Sequence, residues 1–187
     1  MLLGLLRRDA RWRALLVDQV NPQPGDRLLH FGRDDDRLVR ALSLAEPACQ
    51  VIEPDLANPF GSEGDPVVSP GDGPNIVWTE AELNDETIKR FRPYNKAVGV
   101  FPARGLPARS AEQLLAVVRH GLPVEGELHL VEFSRPHGRR SSVDALLGKA
   151  GFKVVERKSA LPSLLGRVEL FRALKQPPTT AHDRKKE

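Results

Sequence analysis

Pro24-Gly25-Asp26-Arg27-Leu28-Leu29-His30-Phe31-Gly32-Arg33-Asp34-Asp35-Asp36 is the stretch whose reading decides how this chain folds. Residues 21–26 are dense in Asn, Pro and Gly and predict a turn. Residues 27–31 form a short, mostly apolar run and predict a strand. Gly32 breaks the run. Residues 34–44 then predict a helix that buries Leu38, Val39, Leu42 and, at its margin, Ala45.

The same alternation continues to both sides. A second strand is expected over 48–52, ending at Glu53-Pro54-Asp55, and a third over 75–78. Between them, residues 58–74 are rich in Gly, Pro, Ser and acids, carry no helical pattern, and predict a loop. A helix over 82–91, a strand over 96–101 and a helix over 108–120 follow, the last burying Leu114, Leu115 and Val118. After a turn at 122–126 come a strand over 128–133 and a helix over 141–150 that Gly151 stops. Two closing strands, 152–157 and 167–173, lack a helix between them and should pair antiparallel at one edge. Strands alternating with helices imply a mainly parallel sheet covered on both faces. His129 alternates within its strand and belongs to the core or a sheet face.

Upstream, residues 1–20 read as an N-terminal amphipathic helix: Leu2, Leu5, Leu6, Trp12, Leu15, Leu16 and Val20 recur at helical spacing among arginines. Residues 21–174 make one domain, as 187 residues suit. Residues 175–187 are polar and read as a disordered tail. The net charge is only +3, with the basic excess at the two ends, which argues against nucleic-acid binding. A single cysteine, Cys49, excludes an internal disulfide and a multi-cysteine zinc site. The apolar run 1–6 is too short for a signal sequence, and its positive charges follow it, so a cytoplasmic location is expected.

Six local strings in this order resemble the class I S-adenosylmethionine-dependent methyltransferases, over about residues 10–174. Residues 24–32 look like that family's first strand and glycine loop. Val51-Ile52-Glu53-Pro54-Asp55 looks like its second strand with the acid that holds the cofactor ribose. Trp78-Thr79-Glu80-Ala81 resembles the third-strand end, where an acid meets the adenine amino group. Leu122-Pro123-Val124-Glu125-Gly126-Glu127-Leu128 is similar to the family's turn into the fifth strand, and Ala150-Gly151-Phe152-Lys153-Val154-Val155 to the start of its sixth. Val131-Glu132-Phe133-Ser134-Arg135-Pro136 is similar to the ubiquinone and menaquinone C-methyltransferases. The resemblance implies an α/β fold: a Rossmann-like three-layer sandwich with a mainly parallel seven-stranded sheet and an antiparallel terminal strand. It also implies S-adenosylmethionine as cofactor, with Gly32, Glu53, Glu80 and Phe101 beside it.

The glycine loop departs from that pattern. Bare backbone there lets the chain approach the methionine part of the cofactor, while the next helix's N–H groups meet its carboxylate. Here only Gly32 remains; Asp34 and Asp36 stand where two further glycines belong, and His30 replaces the usual acid. Aspartates suit helix capping, which satisfies the same N–H groups from within the chain. A loop remodelled around the cofactor's ammonium and sulfonium is the other reading. Consecutive residues rarely converge on one ion, so no metal is expected. The loop at 58–74 stands where the family has a crossover helix, which would thin the adenine pocket.

His137 is the one weak candidate for an acceptor-side base, against the plainer reading of a surface histidine. Two functions follow: methyl transfer to a small-molecule acceptor, or a catalytically inactive member that serves a protein partner as a binding or assembly subunit. The aspartates favour the second. The leucines and arginines of the first helix also allow peripheral contact with an anionic membrane surface.

Overall fold

A computed structural model describes residues 11–32, 37–46, 50–54, 68–70, 76–79, 94–101, 108–134, 143–163 and 166–177. Helix α1 (Arg11–Val20) leads through a turn into β1 (Arg27–Gly32), followed by α2 (Arg37–Ala45) and β2 (Gln50–Pro54). Next come β3 (Val68–Pro70), β4 (Ile76–Thr79), β5 (Lys96–Phe101) and α3 (Ala108–Gly121). The chain closes with β6 (Glu127–Ser134), α4 (Val143–Lys149), β7 (Phe152–Ser163) and β8 (Gly166–Lys175). No helix among the described residues is long and apolar enough to cross a membrane. The expected helix at 82–91 and residues 1–10 of the N-terminal helix lie outside the described residues.

All eight of these strands join one sheet in the order β3-β4-β2-β1-β5-β6-β8-β7. Strands β4, β2, β1, β5 and β6 run parallel. Strand β8 is antiparallel to both β6 and β7, so the expected antiparallel closing strand is present, inserted beside β6 with β7 outside it. The expected count was seven. The additional strand is β3, three residues within the stretch read as loop, paired antiparallel to the sheet-edge side of β4. An edge tolerates Pro70, because a missing N–H facing outwards breaks no ladder bond. The sheet also outruns the sequence pattern at its other end. Residues 161–163, read as a connection, belong to β7, and the long β7–β8 ladder absorbs two register shifts, between Val154 and Glu156 and between Ser159 and Leu161. Pairing partners, not alternation, extend those strands.

Alternation along the central strands divides the core in two. Leu29 and Phe31 of β1 join Ala97, Leu128 and Leu130 against Leu115 and Val118 of α3 and Leu147 of α4. Leu28 joins Val98, Val100, Val131 and Leu170 against Trp12 and Leu16 of α1 and Leu38, Val39 and Leu42 of α2. The sheet is therefore the middle layer of three, as expected for a Rossmann-like sandwich. Ala45 is exposed, beyond the margin of the buried stripe. Gly151 ends α4 as expected: its φ is 78°, a conformation glycine adopts without Cβ strain, and its N–H donates to Gly148 O at 3.0 Å.

Charged groups tie the elements together at the amino ends of the strands. Lys96 Nζ donates to the carbonyls of Val20 and Asn21 at 3.1 Å each and pairs with Asp26 Oδ2 at 2.6 Å. Burial alone would push the Asp26 carboxyl up, but hydrogen bonds from Lys96 and Asn95 outweigh it and hold it below its usual range. On the α1 side of β6, the fully buried His129 lies 2.9 Å through Nε2 from Glu127 Oε2, and Arg172 pairs with the other carboxylate oxygen. The His129 hydrogen bond, with Arg172, holds Glu127 down at about 2, so this carboxylate is an acceptor and the His129 proton sits on Nε2.

Burial pushes the His129 ring below its ordinary value, and the pull of Glu127 does not make up the difference. The folded state therefore prefers the neutral ring. Stability is complete above the unfolded-state value of about 6.5 and falls as the pH drops through it, because only the unfolded chain takes up the proton there. Between pH 8 and pH 5 the melting temperature should fall more steeply in the native protein than in His129→Gln, whose amide does not titrate. Equal slopes would show that His129 does not carry the dependence.

Candidate functional site

From β1 the sheet grows in opposite directions, through β2 to β4 on one side and through β5 to β6 on the other. At such a reversal the connections leave to opposite faces and open a crevice beyond the carboxyl ends of the strands. Gly32 is the last residue of β1 and registers with Val100, the residue before Phe101 at the end of β5. On the other side Ile52 of β2 registers with Leu29, which places Glu53 one residue further towards the same end. The backbone thus brings Gly32, Glu53 and Phe101 to the carboxyl ends of three neighbouring strands. Thr79 closes β4, opposite Pro54. Glu80, His137 and the aspartates at 34 and 36 lie outside the described residues.

The residues just below the mouth are apolar or inward-facing. Phe31 is buried in the α3 side of the core, and His30 is fully buried on the opposite face, where Leu28 points. His30 is therefore a core residue.

A group that sequence reading passed over sits at the carboxyl end of β6. Glu132 registers with Phe101 on one side and directly with Glu169 of β8 on the other. Both carboxylates are buried, on the face that carries α4. Arg157 of β7 donates to Glu169 Oε1 at 2.7 Å and to Asp144 Oδ2 of α4 at 3.0 Å, with its guanidinium 5.2 Å from the Phe171 ring centroid. The hydrogen bond to Glu169 raises the Arg157 pKa above its ordinary value, so the guanidinium is a permanent charge. Arg167 lies 3.7 Å from the same carboxylate. In sequence the one signal was a charge inside each of two apolar runs, Leu130-Val131-Glu132-Phe133 and Val168-Glu169-Leu170-Phe171. Each alone reads as a sheet-face charge; only the register sets the pair opposite one another. Chemically, a buried carboxylate one strand from Phe101 can accept a hydrogen bond from an N–H or O–H of a bound molecule, or take its proton.

No protein-family model matches the chain, and no curated protein matches it. Solved structures do. The Burkholderia thailandensis 1,6-didemethyltoxoflavin-N1-methyltransferase, solved with 1,6-didemethyltoxoflavin and S-adenosylhomocysteine, superposes with a TM-score of 0.64 at 14% identity, over 91% of this chain and 78% of that one. The magnesium protoporphyrin IX methyltransferase of Synechocystis PCC 6803, solved with S-adenosylmethionine, gives 0.60 at 15% identity, over 88% and 76%. The N-methyltransferase NodS of Bradyrhizobium japonicum WM9 gives 0.59 at 13% identity, over 89% and 95%. At such identities the likeness is one of fold.

Proposed function

We propose, from the class I S-adenosylmethionine-dependent methyltransferase fold that this chain adopts, that its crevice binds S-adenosylmethionine and that its acceptor is a small molecule. The observation that carries this reading is the convergence of Gly32, Glu53 and Phe101 at the carboxyl ends of adjacent strands flanking the reversal of the sheet. The residues suit such a ligand: Gly32 presents bare backbone, and an acid at the end of β2 can accept both ribose hydroxyls. Glu80, next after β4, is assigned to the adenine amino group, and Phe101 to an apolar wall. Bound there, the cofactor would supply an electrophilic methyl group on a sulfonium. The chain's part is positioning, since in-line transfer depends chiefly on proximity and alignment. Glu132, beside Phe101, would orient the acceptor; His137 remains the candidate for removing a proton from it.

A second reading rests on Asp34 and Asp36. If these aspartates cap α2, they occupy the helix end that would meet the cofactor's carboxylate, and the protein is a non-catalytic binding or assembly subunit. Calorimetric titration with S-adenosylhomocysteine separates the two. Micromolar binding that Glu53→Ala abolishes supports the cofactor site. A folded protein that takes up none at millimolar ligand refutes it. In that case Asp34→Gly combined with Asp36→Gly should gain binding while the melting temperature drops.

A further inference from the structure

At the opposite end of the sheet from this crevice lies a cleft of about 660 Å³, between the start of β1, the end of α3 and the end of β8. Arg27, His120 and Lys175 line it, and no acidic side chain does among the described residues. Tyr94, Pro123 and Val124 give it an apolar wall. We propose that this cleft binds an elongated polyanion, a small molecule carrying two or more separated phosphate or carboxylate groups.

Three features support that ligand class. Two carbonyls beside the cleft, which would repel an anion, already have donors: Tyr94 Oη bonds Val118 O in the last turn of α3 at 2.9 Å, and Lys175 Nζ bonds Leu122 O just after the helix. A carbonyl takes a hydrogen bond from Lys175 without cancelling its charge, so the ammonium still contributes its field to the cleft. The wall is preformed. A Cβ on Gly121 would overlap the phenol of Tyr94, which is only 1% exposed, so helix end and ring lock together. Finally, Arg27 stands on β1 and Lys175 on β8, three strands apart in the sheet. Three strand spacings put their backbones about 14 Å apart, and with the Lys175 ammonium held at Leu122 O a chain of phosphates or a di- or tricarboxylate reaches both cations more readily than one phosphate does. The volume lies within the range of small-molecule sites.

Titration calorimetry at low ionic strength with sodium tripolyphosphate tests this, with inorganic phosphate as the single-anion control. Tripolyphosphate should bind about tenfold or more tighter than phosphate, and Arg27→Gln and Lys175→Gln should each weaken it about tenfold, the effect of losing one charge-assisted hydrogen bond. Equal affinity for the two anions, no binding, or affinity unchanged in both variants would overturn it. Lys175→Gln also removes the bond to Leu122 O, so a variant-free measurement accompanies it. Bound tripolyphosphate should slow acetylation of Lys175 in the native protein, read by mass spectrometry, more than that of Lys149 or Lys158, which lie off the cleft. Uniform protection of all three would equally refute the site.

Discussion

Replacing Trp12 by alanine is expected to lower the unfolding free energy by about 3–5 kcal/mol, the range for deleting a large aromatic from a packed core. Trp12 is fully buried and is the main anchor of α1 on the sheet. Its ring meets Phe133 edge-on, with centroids 5.3 Å apart and planes at 87°, and the buried Arg13 guanidinium lies 4.4 Å from its centroid. Alanine removes the aromatic contact and the surface that covers Arg13 together, so the remaining cavity has a cation on one side. Trp12→Phe keeps an aromatic for both neighbours and should recover much of the loss. Chemical denaturation followed by far-ultraviolet circular dichroism measures both. A Trp12→Ala change below about 1 kcal/mol would mean that α1 contributes little to the fold.

The second large effect is expected at Gly99, on β5 between β1 and β6. It registers with Phe31 on one side and Leu130 on the other. A Cβ there would lie 2.6 Å from Leu130 Cδ2 and closer still to the Phe31 ring. Both neighbours are buried in a close-packed core, so relief requires the strands to move. Gly99→Val should cost about 3 kcal/mol, the upper part of the range for overpacking, and Gly99→Ala less. The displaced residues precede Gly32 and Phe101 by one and two positions, so any ligand affinity of the crevice should fall as well. Equilibrium denaturation reads the first effect and S-adenosylhomocysteine titration the second. A Gly99→Val protein as stable as the native one would show that β1 and β5 can separate freely at this point.

Much of this was legible in the sequence because it depends on local periodicity. The strands at 96–101 and 27–31 and the helix at 108–120 were read to within a residue, since apolar alternation and helical spacing follow from which face must be buried. The stop at Gly151 and the turn before β1 were legible because few other residues adopt the backbone they need. Strand β3 was not. Three residues ending in proline carry no pattern, and they form a strand only because the edge of β4 offers a partner. The extension of β7 to Ser163 has the same cause.

The candidate site divides along the same line. Gly32, Glu53 and Phe101 could be picked out in sequence because each follows a recognisable strand, and the parallel order then carries such ends to one rim of the sheet. Glu132, Glu169 and Arg157 could not. They lie in three successive strands, and the meeting of Glu132 with the other two depends on β8 being inserted between β6 and β7. The cleft lined by Arg27, His120 and Lys175 is assembled from elements even further apart. Sequence by itself determined the layers and the glycine, acid and aromatic at the strand ends, because burial period and backbone freedom are local properties. Which charges face one another was decided only by tertiary structure, because register and strand order arise from packing whole elements together, and no window of the chain contains them.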